Sequence, residues 1–83
     1  MNKEVGIWNL LSALVQAGRR CENELAARSL LLVLGLLATG NPAILNWVPF
    51  LISVLESETG ETWGWGDRVQ LENFLHQWVE EDS

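Results

Sequence analysis

From Ser29 to Leu55 the chain runs for 27 residues without a charged side chain. This run is not one continuous apolar helix, because Thr39-Gly40-Asn41-Pro42 stands near its middle. Glycine just past a helix accepts the left-handed backbone that ends it. Asparagine offers an N-cap oxygen, and proline at the first helical position has its φ already set. The sequence therefore predicts two apolar helices joined by a tight turn, a helical hairpin whose arms lie antiparallel. A chain of 83 residues buries a smaller fraction of its surface than a larger domain does. Part of this apolar surface is therefore expected to be covered from outside, by a second copy, a protein partner or a membrane.

The flanking segments complete an all-α fold. The expectation is one helical domain over residues 1–83, a compact bundle of four helices, or five if the third divides at Pro49. The first helix is read from Lys3 to Ala17, with Asn2 as N-cap, Glu4 at the positive helix end and Gly18 as the terminating glycine. Trp8, Leu11, Leu14 and Val15 follow helical spacing and are read as its inward face. The second helix, from about Glu22 to Ala38, is apolar nearly all round. Gly35 within it costs about 1 kcal/mol relative to Ala, a cost that close approach of another helix would offset.

The third helix is read from Pro42 to about Glu56. Pro49 removes one of its backbone hydrogen bonds and meets the carbonyl of Leu45, so a kink is expected near Asn46 to Val48. Residues 56–66 read as a polar loop rich in glycine. Asp67, with Gln70 three residues on, then gives a capping-box start to the last helix, which carries Leu71, Phe74, Leu75 and Trp78 inward to about Glu80.

The net charge of −6 is unevenly placed. Residues 1–55 hold Lys3, Arg19, Arg20 and Arg28 against Glu4, Glu22 and Glu24, a sum of +1. Residues 56–83 hold eight acids against Arg68 alone, a sum of −7. A chain this acidic lacks the basic face that a phosphate backbone requires, so direct nucleic-acid binding is not expected. The one cysteine, Cys21, fits a reducing compartment and reads as a small apolar filler near a helix start. The start Met-Asn-Lys-Glu-Val shows no secretory leader pattern, so a cytoplasmic location is expected.

No catalytic constellation emerges. Zinc needs more Cys and His than Cys21 and His76 supply, and no phosphate-cradling glycine loop or nucleophile elbow occurs. Glu72 and His76 share a helix face and read as a surface pair. The sequence reading is thus a non-enzymatic interaction module, an adaptor, inhibitor or assembly factor with no catalytic, metal or cofactor-binding residue and no cofactor. Its partner is a protein or a second copy of the chain. Trp63 and Trp65 lie two apart in the acidic loop, where an extended backbone points both the same way, as a lid over the core or as anchors for a partner. The candidate partner-binding residues are Trp63, Trp65, Glu58, Glu61, Trp47 and Phe50, while Trp8, Trp47 and Trp78 sit on apolar faces suited to a core. Two alternatives stay open, a membrane-associated helical hairpin and an acidic inhibitor of a basic nucleic-acid-binding protein.

Overall fold

The computed structural model describes residues 6–81. Four α-helices follow one another there: α1 (Ile7–Arg20), α2 (Glu24–Ala38), α3 (Val48–Thr59) and α4 (Trp65–Glu81), with a 3-10 segment at Pro42–Trp47 between α2 and α3. No strand occurs among the described residues. The expected Asn2 cap and the dipole role of Glu4 lie outside them.

Helix α1 runs through Gly18 and ends at Cys21, whose N–H donates to the Gly18 carbonyl at 3.3 Å. Gly18 is therefore not the terminator. The extra turn places Arg19 and Arg20 against the negative end of the helix dipole. Helix α2 starts one residue after Asn23, whose side-chain oxygen accepts from the N–H groups of Leu25 (2.9 Å) and Ala26 (3.2 Å). Asn23, rather than the acids around it, sets that start.

The turn after α2 is built as its residues dictate, but α2 packs on the 3-10 segment and not on α3, so the expected hairpin of two long helices is only partly formed. Gly40 takes φ 65°, Gly40 N–H donates to Leu37 O and Asn41 N–H donates to Leu36 O, which satisfies two carbonyls of the last α2 turn. Asn41 then caps the next segment by accepting from Ala43 N–H at 2.9 Å. That segment is a 3-10 helix, and the α-helix resumes only at Val48 with Pro49 in its first turn. There the missing N–H of proline would have had no intrahelical partner in any case. The expected single helix from Pro42 kinked at Pro49 is thus replaced by a change of helix type at Trp47–Val48, with Pro49 inside the first turn of the new helix. The described residues hold no fifth α-helix.

Asp67 also differs from its expected place. It is the third residue of α4, and its carboxylate reaches back to accept from Gly64 N–H at 2.9 Å, while Arg68 N–H donates to Gly64 O. Gly64 occupies the cap position and Asp67 supplies the returning half of the capping box.

Every element contributes to one core. Leu10 and Leu14 come from α1, Leu30, Val33 and Leu37 from α2, Ile44 from the 3-10 segment, Val48, Leu51 and Leu55 from α3, and Leu71 and Leu75 from α4. No polar or charged side chain is buried among the described residues. Helices α1 and α2 pack on each other, α1 also on α3, and α4 packs on α3 and the 3-10 segment. The acidic C-terminal helix therefore lies apart from most of the α1–α2 pair. Its link to α2 is Trp78, whose indole N–H donates to Leu37 O at 2.6 Å.

Candidate interaction surface

The buried stripe of α1 is Leu10 and Leu14. The stripe expected to face inward is split by this rotation. Leu11 is half-buried, whereas Trp8 is 78% and Val15 45% exposed. Helix α2 has the same surplus. Leu30, Val33 and Leu37 fill its inward face, which leaves Leu25 (74% exposed), Leu31 (68%) and Leu32 (51%) outside. A helix apolar all round can bury only one side against a partner of its own chain, so the remainder must face out.

Val15 and Leu31 meet across one groove, and Trp8, Leu25 and Leu32 lie exposed on the same two helices. A groove of about 310 Å³ runs between the two helices, lined by Leu14, Val15, Gly18 and Arg19 of α1 and by Ala27, Leu30, Leu31 and Leu34 of α2. Trp8 extends the Val15 stripe by two turns, being seven residues earlier. On α2 the outward face of the C-terminal half carries Leu31, Leu32, Gly35 and Ala38 with no polar group. The only charges on the α2 face, Glu24 and Arg28, pair with each other at 2.9 Å. With large apolar side chains offering roughly 150–250 Å² when free, the five exposed residues present on the order of 600 Å², at or above the largest patch usual on a monomer.

Gly35 faces open space. A Cβ added to it would meet nothing within 4 Å, so no helix among the described residues approaches it closely. The offset anticipated for that glycine is not made within the fold.

The residues singled out in sequence fall into two groups. Trp63 is half-buried and packs against the core, with its backbone N–H donating to Glu56 Oε2 at 2.9 Å. Trp47 and Phe50 are also half-buried and meet edge to face with ring centroids 5.6 Å apart. Glu58 accepts the Arg20 guanidinium at 3.4 Å. By contrast Trp65, at the first position of α4, is 78% exposed, and Glu61 is exposed. The two loop tryptophans do not point the same way, because the helix begins between them. Trp65 sits beside its i+4 neighbour Val69, itself partly exposed. Trp65→Ala is expected to change stability by less than about 0.5 kcal/mol, whereas Trp63→Ala should cost about 2 kcal/mol. Urea titration of the two variants checks this split.

No group of three or more Cys, His, Asp or Glu able to hold a metal occurs among the described residues. Cys21 ends α1 instead of starting a helix, and its thiol donates to Asn23 O at 3.2 Å. It borders a cleft of about 370 Å³ shared with Phe50, Val54 and Glu58. Glu72 pairs with Arg68 at 2.9 Å, and His76 is exposed. No helix is long and apolar enough to cross a membrane among the described residues. No family model matches the chain, and neither a curated protein nor a solved structure is significantly similar to it.

Proposed function

We propose that this chain is a non-enzymatic interaction module that docks through the outward face of α1 and α2. The observation that carries this reading is the open groove lined by Val15, Leu31 and Leu34, with Trp8, Leu25 and Leu32 exposed on the same two helices. Water contact with so much apolar area is unfavourable by roughly 25 cal/mol per Å², and a protein surface that covers it recovers that free energy. An adaptor, inhibitor or assembly factor needs no more chemistry than this. A second reading, an acidic inhibitor of a basic protein, draws on the exposed Trp65 and Glu61 in the acidic half.

A photo-crosslinking side chain placed at Leu31, with one at His76 as the control, tests the principal reading in cells expressing the chain. A defined adduct from position 31 and none from position 76 is the expected result. Adducts confined to position 76, or none at all, would remove the α1–α2 face as the docking surface. Adducts from a probe at Trp65 alone would favour the acidic-inhibitor reading.

A further inference from the structure

We infer that the occupant of the α1–α2 face is a second copy of this chain, packed through a two-fold axis with the two α2 helices antiparallel. The inference rests on the docking reading above and adds the identity of the partner.

Charge selects this face. Two molecules of net charge −6 repel, but the excess lies in residues 56–83, at −7, while residues 1–55 sum to +1. Helix α4, which holds Asp67, Glu72, Glu80 and Glu81 against Arg68, packs on α3 and the 3-10 segment. Contact through α1 and α2 therefore brings the near-neutral halves together and keeps the acids of α4 out of the contact, while Glu58, which reaches α1, is paired with Arg20.

The α2 face is complementary to itself. In an antiparallel pair with the axis between Leu31 and Leu32, these two leucines of each copy lie level with those of the other, one on each flank of the central Arg28–Gly35 stripe. The same register sets Leu25 opposite Ala38 and Arg28 opposite Gly35. The long Arg28 stem then lies over the position that has no side chain and has open space above it. Its guanidinium arrives at the C-terminal turn of the opposite α2, a helix end that has no basic residue of its own. The same axis sets the Trp8 and Val15 flank of α1 against its counterpart, giving a hairpin-on-hairpin contact of four helices.

The area is sufficient. An interface of about 800 Å² per partner that is about 65% apolar needs roughly 520 Å² of apolar surface from each side. The exposed residues of this face supply on the order of that amount.

Sedimentation velocity of the purified chain over a wide concentration range tests the inference, read against three substitutions. The parent should sediment as a dimer at high concentration, and raised salt should leave the dimer intact or strengthen it. Leu31→Glu and Leu32→Glu should each weaken association about tenfold or more with unchanged helicity. Gly35→Leu is the discriminating variant. It adds apolar surface, so a merely sticky patch would associate more strongly. A face that needs the glycine gap should instead lose about tenfold in association while the monomer stays folded. A parent that remains monomeric throughout, or a dimer indifferent to Leu31→Glu and Gly35→Leu, overturns the inference. A monomer in the centrifuge, combined with a position-31 adduct heavier or lighter than two chains, would remove the second copy and leave the docking surface standing.

Discussion

Leu37→Asp is expected to abolish the cooperative thermal transition of this protein, while Leu31→Asp, six residues earlier on the same helix, should leave the monomer folded. Leu37 is fully buried in the common core, and no polar side chain is buried with it. An aspartate there would have to enter an apolar interior without a partner, protonate at a cost, or force the helix apart. Each outcome costs several kcal/mol against a total stability on the order of 5–10 kcal/mol for a domain of this size. The backbone of Leu37 is also committed, since its carbonyl accepts from Trp78 and from Gly40 N–H. Leu31 sits outside with its side chain free of the core. The comparison is read by far-ultraviolet circular dichroism during a thermal ramp, at concentrations low enough to hold both variants monomeric. A folded Leu37→Asp with a midpoint near the parent's would contradict the packing of α2 described above.

The contrast between those two leucines also shows where sequence reading stops. Pattern identifies α2 as a helix, because its capping residues and its turn at Gly40 are local chemistry. Pattern cannot orient it, because Leu25, Leu31, Leu32 and Leu36 are as apolar as Leu30, Val33 and Leu37. The inward face is decided by what α1, α3 and the 3-10 segment present, and that is a property of the assembled core. The exposure of Trp8 has the same cause. Two overlapping stripes of helical spacing exist in α1, and the Leu10–Leu14 stripe is the one that meets the core. The last helix carried no such ambiguity, since Leu71 and Leu75 are the centre of its one apolar face and both are fully buried.

The candidate surface follows from the same surplus. An uncharged run from Ser29 to Leu55 already implied apolar area in excess of what four short helices can hide. In sequence, Trp63 and Trp65 in a glycine-rich loop have the pattern of partner anchors. Trp63 lies against the core and Trp65 starts a helix, so the two differ in exposure. The sequence signal for the α1–α2 face was the lack of a polar side on the second helix, with Gly35 as its one gap.

Trp78 carries the second large effect. Its ring stacks near Phe74 at a centroid distance of 6.3 Å, and its indole N–H reaches Leu37 O at 2.6 Å. That carbonyl belongs to the last turn of α2, where backbone oxygens lack intrahelical partners. The contact therefore completes the end of one helix and fixes the position of another. Trp78→Ala removes ring packing and hydrogen bond together and should cost about 3 kcal/mol, toward the low side for a large aromatic because the residue is half-buried. Trp78→Phe keeps a ring against Phe74 but leaves the Leu37 oxygen without this donor, a loss of about 1 kcal/mol. For a chain of this length each kcal/mol lowers the thermal midpoint by about 4–8 °C. The midpoints should thus fall in the order parent, Trp78→Phe, Trp78→Ala, with the larger gap between the last two. If Trp78→Phe melts with the parent, the indole bond contributes nothing to stability. If it melts with Trp78→Ala, the bond outweighs the ring. Because Trp78 is half-buried against the core and is not one of the exposed side chains of α1 and α2, Trp78→Phe should keep the parent's association constant at temperatures where it is folded. That separates the cohesion of the monomer from whatever the exposed leucines hold.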